Sequence, residues 1–334
     1  MVVSIRLAAA VLAGLFALPA SAQDKPTLHI YTYDSFAAEW GPGPALKADF
    51  EAECGCTVEF TAADSSIGAL RRVQLEGPTT QADLIVGLDT AIAGEARATG
   101  LFADHEIDLG GLALPEEWTD AQFVPFDYAH FSFVYDTDTV TTPPKSFEEL
   151  IALADDFKIV VQDPRSATPG LGLVLWIRAA YGDRAAEIWA GLKPHILTVT
   201  REWSESYNLF LTGEADMALS YTTSPAYHIV SEEDDTIHAA LFEEGHYPQI
   251  EVAGLLKSSD QGELGRRFLQ YLAGPGGQKV IPTTNWMFPV IDLGADLDPG
   301  FGTLPQPEKT LTLPYSEIEA NRDSWIDEML SAVQ

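Results

Sequence analysis

Apolar and polar positions follow two different periods along most of the chain. Residues 28–33 alternate, with Leu28 and Ile30 on one side, and this period predicts a strand. Helical spacing then places Leu46 and Phe50 on one face of a helix that starts near Pro44. The same patterns predict further strands at residues 58–61, 83–89, 123–135, 158–162, 196–200, 217–221 and 247–256. They predict further helices at residues 67–75, 168–176, 264–272 and 318–330, and one that ends at Phe210.

The order of these elements indicates an α/β fold. Strands that alternate with helices of about ten residues are typical of α/β units with a largely parallel sheet. Ser146 and Glu149 form a capping box that predicts another helix start, and the Pro- and Gly-rich residues 294–310 predict a surface excursion. The length of 334 residues predicts about two domains. Because no low-complexity linker separates them, we expect two lobes with several chain crossings.

The first 22 residues have the pattern of a signal peptide. Arg6 is the only charge before an apolar stretch at residues 7–18, and residues 20–22 (Ala-Ser-Ala) form a small-residue cleavage signature. The apolar stretch is too short to span a bilayer, and no lipid-attachment cysteine stands at the cleavage site. We therefore expect an exported protein, free in the periplasm, without direct membrane insertion.

Acidic residues dominate the charge of the chain. Lys and Arg total 19 while Asp and Glu total 50, which gives a formal net charge of −31. Such a surface repels the phosphate backbone of nucleic acids and the headgroups of an anionic membrane, so the composition argues against both as partners. Two interpretations of the acidity stay open, namely a solvated exterior and a cationic ligand.

Two cysteines occur in the chain, Cys54 and Cys56, with Gly55 between them. A small-ring disulfide in an oxidising compartment is the leading interpretation, and a pair of free thiols is the second. The spacing suits neither a zinc site nor the C-x-x-C of a redox centre. We expect no metal site.

Sequence signatures of catalysis are missing. The chain has no G-x-S-x-G, no H-E-x-x-H, no P-loop and no G-x-G-x-x-G after a strand, and its seven histidines lack metal-ligand spacing. Asp127, Asp163 and Asp216 stand at predicted strand ends, where an open α/β sheet presents ligand-binding groups and where an Asp also serves as a cap. We therefore expect a binding protein and not an enzyme.

Several aromatic residues stand at predicted loop positions and strand ends. They are Tyr33, Trp40, Trp203, Tyr221, Tyr227 and Trp286. The three tryptophans lie in polar or Gly/Pro-containing contexts, unlike Trp176, Trp189 and Trp325, which fall in apolar helical patterns. Aromatic rings in such places can build a cage in a crevice, which suits flat cationic ligands through stacking and cation–π contacts. Packing is the alternative role for each ring taken singly.

Two long blocks of the sequence are distinctive. They are residues 31–60 (YTYDSFAAEWGPGPALKADFEAECGCTVEF) and residues 203–229 (WSESYNLFLTGEADMALSYTTSPAYHI). Shorter blocks stand at residues 84–92, 123–136, 162–176, 244–253 and 281–290. Together the blocks closely resemble the periplasmic thiamine-binding proteins of bacterial thiamine ABC transporters, and the resemblance covers nearly all of the mature chain.

The resemblance implies a two-lobed periplasmic binding-protein fold of type 2, with the ligand in a cleft between the lobes and two crossing segments. One lobe is expected at residues 27–125 plus 253–290, and the other at residues 126–252 plus 291–334. The crossings are expected near residues 123–127 and 251–254. Closure of the lobes around a ligand would then be a hinge motion.

The resemblance also implies the binding site. The family holds the aminopyrimidine and the thiazolium cation of thiamine with a Trp and Tyr cluster, and the matching positions are Tyr33, Trp40, Trp203, Tyr221, Tyr227 and Trp286. The stretch Tyr221, Thr222, Thr223, Ser224 and Pro225 matches a family binding stretch whose hydroxyls would take a hydroxyethyl or phosphate end.

Two positions depart from the family pattern. A contacting Asp-Gly pair is Ser65-Ser66 here, with Asp64 one position earlier, and a contacting Ser-Thr pair is Ala167-Thr168. The first change removes an acceptor that Asp64 could replace after a small loop shift. The departures leave the balance between thiamine and its phosphates open.

The expected partners are thiamine and its phosphates and a membrane ABC permease with its ATPase, and the expected state is a monomer without a cofactor. A ferric-ion or polyamine binder of the same fold is the runner-up, with Tyr221 and Tyr227 as phenolate ligands to iron. An exported enzyme acting on thiamine is a third hypothesis, and it needs a nucleophilic cysteine in the cleft.

Overall fold

The computed structural model describes residues 25–115 and 117–333. The predicted signal peptide, residues 1–22, lies outside the described residues. Within them, no helix combines the length and the apolarity that crossing a membrane requires.

Strands and helices alternate over most of the described chain. The strands are β1 Thr27–Tyr33, β2 Thr57–Ala63, β3 Leu84–Asp89, β4 Phe123–Asp136, β5 Ile159–Gln162, β6 Ile196–Thr200, β7 Met217–Tyr221, β8 Ile237–Ala239, β9 Pro248–Leu255 and β10 Phe288–Pro289. The helices are α1 Asp34–Ala37, α2 Pro42–Cys54, α3 Ser66–Glu76, α4 Thr90–Ala98, α5 Phe147–Ile151, α6 Thr168–Tyr181, α7 Ala185–Leu192, α8 Trp203–Leu211, α9 Pro225–Tyr227, α10 Gly262–Ala273, α11 Pro275–Gln278 and α12 Tyr315–Val333.

The strands form one sheet in the order β2-β1-β3-β9-β4-β7-β5-β6. The outer strands on each side pair in parallel, as α/β units require, while β9 pairs antiparallel with both β3 and β4. The 14-residue β4 is longer than its neighbours. Its first half pairs with β9 and its second half pairs with β7 and β8. Two strands, β4 and β9, therefore carry the chain between the two halves of the molecule.

Each half has its own helices. Helices α1–α4, α10 and α11 accompany β1–β3, and α5–α9 accompany β5–β8. The crossings predicted near residues 123–127 and 251–254 fall inside β4 and β9. The lobe boundaries at residues 125, 252 and 290 stay a prediction.

The last helix, α12, contacts both halves. It packs on α6 and α7 of the second lobe and on α4 of the first lobe. Arg178 of α6 pairs with Glu328 at 2.7 Å, and Arg322 of α12 pairs with Glu95 of α4 at 2.6 Å. The sequence placed the C-terminal helices on the second lobe alone, whereas α12 lies against both lobes.

Most predicted elements form at the expected places, and two local differences can be described from backbone conformation and hydrogen bonds. Helix α2 begins at Pro42, not near Pro44, because Gly41 already has the extended backbone of a helix N-cap. Ser146 caps α5 through the Glu149 N–H, but the Glu149 carboxylate accepts from Lys145 N–H, one residue before the position that a capping box requires. The sequence patterns did not predict α1, α4, α11, β8 or β10.

Helix α2 ends at Cys54, and Gly55 follows with a left-handed φ of 66°. The structure joins Cys54 to Cys56 by a disulfide. A residue without a Cβ takes this conformation easily, so Gly55 both ends the helix and allows the chain to turn between the two cysteines.

A glycine in α6 makes room for a buried ring of β4. A Cβ built on Gly172 would lie 2.1 Å from Cε2 of Phe131, whose side chain is 1% exposed. Phe131 packs in turn on Tyr221, with ring centroids 5.5 Å apart. The close approach of α6 to β4 thus determines where the Tyr221 ring lies.

We expect Gly172→Ala to lower the free energy of unfolding by about 1–3 kcal/mol, because the added methyl group overpacks a filled core. Urea unfolding measures the change. Gly68→Ala in α3 is the matched control, since its Cβ would meet atoms no closer than 3.4 Å, and the gain in helix propensity should stabilise it by up to about 1 kcal/mol. Equal stability of the two variants would contradict the argument.

Candidate functional site

A cavity of about 720 Å³ lies between the two lobes. Residues of the first lobe, of the second lobe and of the crossing strand β9 all line it. The lining residues are Tyr33, Ser35, Trp40, Asp64, Ser65, Ser66, Ala167, Thr168, Pro169, Glu202, Trp203, Ser204, Tyr207, Asn208, Leu211, Tyr221, Ser224, Tyr227, Ser231, Gln249, Glu251, Thr283, Thr284, Asn285, Trp286 and Met287. All six aromatic residues singled out in the sequence are among them. The volume is in the range of small-molecule sites.

Tyr33 lies at the end of β1 with its ring against Gly87 of β3. A Cβ at Gly87 would be 2.2 Å from the Tyr33 ring, and Gly87 has a φ of 94°. The register between β3 and β9 also shifts at this point. Only glycine fits both the backbone and the ring, so Gly87 allows Tyr33 to reach the cavity.

The second lobe fixes its aromatic rings through a chain of hydroxyl groups. Trp203 Nε1 donates to Ser220 Oγ at 2.9 Å, and Ser220 Oγ shares a hydrogen bond of 2.7 Å with Ser224 Oγ. Ser224 Oγ also accepts from the Tyr221 N–H at 3.2 Å. Tyr207 stacks on Trp203 with ring centroids 4.7 Å apart. One connected network therefore holds the Trp203 ring and the backbone of Tyr221.

Three residues of the predicted binding stretch do not line the cavity. Thr222 and Thr223 are fully buried, and Pro225 is buried as well. The Thr222 hydroxyl accepts from His130 N–H, and the Thr223 hydroxyl donates to Met287 Sδ. These side chains lie behind the cavity wall, and only Tyr221 and Ser224 of the stretch reach its surface.

Trp286 adopts a left-handed backbone with a φ of 57°, which is rare for a residue with a large side chain. Its ring meets Tyr227 edge to face, with centroids 5.3 Å apart. Strained backbone of this kind is concentrated at functional sites. The strain places the indole ring at the cavity, next to the Tyr227 ring.

The two departures from the family pattern have defined surroundings. Asp64, the possible substitute acceptor, pairs with Arg201 of the opposite lobe, and both side chains are largely exposed. Ser65 Oγ accepts from Gly68 N–H and caps α3. Ala167 is the N-cap residue of α6 without a side-chain cap, and Thr168 beside it is buried. All of these positions line the cavity except Arg201 and Gly68.

Three carboxylates stand in a row across the strands below the cavity. Asp89 of β3 lies opposite Glu251 of β9, and Glu251 lies opposite Asp127 of β4. All three are at most 4% exposed. Glu251 Oε2 accepts from the Tyr33 hydroxyl at 2.9 Å and from Asn285 Nδ2 at 3.1 Å. Asn285 Nδ2 also donates to Asp127 Oδ2 at 2.6 Å.

Burial is the largest influence on the pKa of each carboxyl group in this row. It raises the pKa of Asp127 to about 7, against the opposing effect of the Asn285 hydrogen bond. It raises the pKa of Asp89 to about 7 against two backbone N–H donors of α4. Burial and then the charge of Asp127 raise the pKa of Glu251 well above its usual value. The row therefore holds protons at a pH at which exposed carboxylates have lost them.

The sequence did not identify Glu251, Gln249, Asn285 or Tyr207 as site residues. Gln249 and Glu251 are two positions apart in β9, which places both side chains on the same face of the strand. The sequence shows this spacing, but both residues fall in a buried strand, and nothing in the sequence indicates that a cavity adjoins it. Gln249 Oε1 accepts from the Tyr221 hydroxyl at 3.2 Å. Asn285 lies in a loop whose position only the fold determines.

The charge of the lining is one-sided. It includes the carboxylates of Asp64, Glu202 and Glu251 but no Lys, Arg or His among the described residues. The described part of the chain also contains no group of three or more His, Cys, Asp or Glu side chains that could hold a metal ion. The cavity thus suits a flat, positively charged organic molecule better than an anion.

Comparison with known proteins decides the family. A family model described as bacterial extracellular solute-binding protein matches residues 34–279. The chain belongs to this family. Its solute-binding relatives include the thiamine-binding periplasmic protein of Brucella suis, 49% identical over 315 residues that cover 94% of each chain. That of Escherichia coli is 46% identical over 309 residues, which cover 92% of this chain and 94% of the other.

Solved structures agree with the fold of this solute-binding protein. A periplasmic thiamin binding protein superposes with a TM-score of 0.90 at 46% identity, covering 93% of this chain and 97% of that one. A ferric binding protein from Campylobacter jejuni superposes with a TM-score of 0.73 at 20% identity, covering 91% and 99%. The second likeness shows the fold alone. The predicted resemblance and the two-lobed periplasmic binding-protein fold are confirmed.

We expect the buried carboxyls to make this protein less stable as the pH rises from about 4 to about 7. The pKa of Asp127 is higher in the folded state, about 7 against 3.8, so its stabilising contribution is complete below the lower value and is lost as the pH passes the higher one. Denaturant unfolding over this range should give a slope that Asp127→Asn reduces by up to about 1.4 kcal/mol per pH unit. Asp323→Asn, at a side chain that is 90% exposed, should leave the slope unchanged. An unchanged slope in Asp127→Asn would disprove the assignment.

Proposed function

We propose that this protein captures thiamine in the periplasm and delivers it to a membrane ABC permease. The observation that carries the proposal is the cavity between the lobes, lined by aromatic rings and carboxylates and by no basic side chain among the described residues. The names of the relatives support the same ligand. The protein would act without a cofactor and as a monomer, through affinity and lobe closure.

The chemistry of thiamine matches the lining. Its aminopyrimidine is a flat ring that stacks on Trp and Tyr, and its thiazolium is a cation that aromatic faces and carboxylates attract. Trp40 and Tyr33 belong to the first lobe, while Trp203 and Tyr221 belong to the second. A ligand that contacts both sets stabilises the closed arrangement of the lobes, which is the signal a permease can recognise.

The competing hypotheses receive less support. Iron would need ionised Tyr221 and Tyr227, but burial raises the pKa of Tyr221 well above its usual value and its hydroxyl donates to Gln249. An enzyme acting on thiamine would need a nucleophilic cysteine, but Cys54 and Cys56 form a disulfide and neither lines the cavity.

The proposal is tested by titrating refolded, ligand-free protein with thiamine and following tryptophan fluorescence. Refolding removes any ligand that co-purifies. Of the seven tryptophans, Trp40, Trp203 and Trp286 line the cavity, so saturable quenching is expected. A flat trace together with no heat in calorimetry would reject thiamine as the ligand. Recovery of intact thiamine after incubation tests the absence of catalysis.

Trp40 offers a test of the aromatic lining that does not disturb folding, because its side chain is 60% exposed. We expect Trp40→Ala to weaken thiamine binding about 2- to 30-fold, the range of one lost cation–π contact, and to leave the unfolding midpoint unchanged. Leu75→Ala, at an 89% exposed side chain outside the lining, is the control. Unchanged affinity in Trp40→Ala would remove this residue from the site.

We also propose that phosphorylated thiamine binds with its phosphates towards an adjoining depression of about 500 Å³. Asp64, Ser65 and Glu202 belong to both cavities. The depression is further lined by Arg71, Arg165 and Arg201 and by the carboxylates of Asp34 and Glu205. Guanidinium groups and the N-terminus of α3 suit phosphate oxygens.

Arg201→Gln distinguishes the two forms of the ligand. Because Arg201 is exposed, its loss should weaken thiamine diphosphate binding only about two- to fivefold, and thiamine binding should not weaken. Paired calorimetric titrations measure the ratio, with Glu214→Gln on the exposed surface as a control for handling. Equal losses for both ligands would show that the depression takes no phosphate.

A further inference from the structure

The pair formed by Asp127 and Glu251 lies where β4 and β9 connect the lobes. The two residues are direct partners in the strand register, and Glu251 lines the cavity. The titratable groups that face them are Asp89 at the end of β3, Tyr33 at the end of β1 and Tyr221 at the end of β7. None of these groups is basic.

The pair is incompletely compensated. Asn285 donates one amide group to both carboxylates, and the Tyr33 hydroxyl donates to Glu251. Asp127 Oδ1 is buried without a hydrogen-bond partner. A buried charge without a counter-charge is costly, and a protonated carboxyl is the usual way to avoid that cost. The pair thus needs either a proton or a cation from outside the protein.

We propose that the Asp127–Glu251 pair selects for a positively charged ligand by exchanging a proton for the ligand's cation at the floor of the cavity. The inference rests on the proposed function, and it specifies which residues recognise the charge of thiamine. The thiazolium ring lies against Glu251, the proton of the pair leaves to solvent, and no covalent bond of the ligand changes.

The acidity of the pair supports this exchange. Burial raises the pKa of Asp127 to about 7, and burial and then the charge of Asp127 raise the pKa of Glu251 well above its usual value. At a pH below these pKa values the pair is protonated before the ligand binds. A bound cation favours the ionised form of the pair, so binding releases a proton. Affinity for thiamine should therefore rise with pH, by up to tenfold per unit below the apparent pKa of the pair, and level off above it.

The first test needs no variant. Calorimetric titrations of the wild-type protein with thiamine near pH 6, in two buffers of different ionisation heat, give the number of protons released. We expect this number to approach one near pH 6 and to fall once the pH exceeds the apparent pKa of the pair. Zero release near pH 6, together with an affinity independent of pH, would overturn the proposal.

The second test uses an analogue of thiamine in which carbon replaces the quaternary nitrogen and removes the charge. The wild-type protein should prefer thiamine over this analogue by about 10- to 100-fold. In Glu251→Gln and Asp127→Asn the preference should fall towards onefold for at least one variant, with proton release lost in the same variant. Glu214→Gln removes the same negative charge at an exposed position, and this variant should keep both the preference for thiamine and the release of a proton. A preference that survives in both pair variants would assign the pair a structural role only.

The two tests separate this inference from the proposed function. If thiamine does not bind at all, the proposed function fails. Thiamine could instead bind without releasing a proton, with a preference over the uncharged analogue that is the same in the wild type and in both pair variants. The proposed function then stands, and only the charge selection is wrong. Circular dichroism and unfolding midpoints show whether each variant is folded, and the wild-type titration stays decisive if one is not.

Discussion

The pairing of β4 with β9 is the constraint on which the rest of the structure depends. These two strands belong to both lobes, so the register between them determines how the lobes face each other. The same register brings Asp127 opposite Glu251 and, through β3, Asp89 into the same row. Glu251, which lies on a strand that connects the lobes, is therefore also a lining residue of the cavity, and Asp127 and Asp89 lie next to it below the lining.

The cavity is shaped by close packing behind it as much as by the rings that line it. Gly87 leaves space for Tyr33, and Gly172 leaves space for Phe131, which supports Tyr221. The serine pair Ser220 and Ser224 ties Trp203 to the same strand end. Rings held on rigid strands lose little freedom when a ligand arrives, which favours tight capture of a small molecule.

The sequence predicted the elements with strong periods and the aromatic rings that stand outside them, such as Trp40 and Trp286. It could not predict the carboxyl row, because Asp127 and Glu251 are far apart in the chain and meet only through antiparallel pairing. Helix α4 escaped prediction because its cap, Asp89, ends a buried strand and its small residues give a weak apolar period. Thr222 and Thr223 were placed in the site with their neighbours, but in the turn between β7 and α9 their side chains are buried, with hydroxyls bonded to His130 N–H and Met287 Sδ.

Helix α12 carries one ion pair to each lobe, Arg178–Glu328 to the second and Arg322–Glu95 to the first. Any rotation of one lobe against the other must stretch one of these pairs or move the helix with a single lobe. The C-terminal helix thus links the lobes outside the cavity, through these ion pairs and through its buried apolar residues Ile318, Trp325, Ile326 and Met329. Because the four side chains of these pairs are at most 31% exposed, salt screens them weakly, and the link between the lobes should persist at high ionic strength.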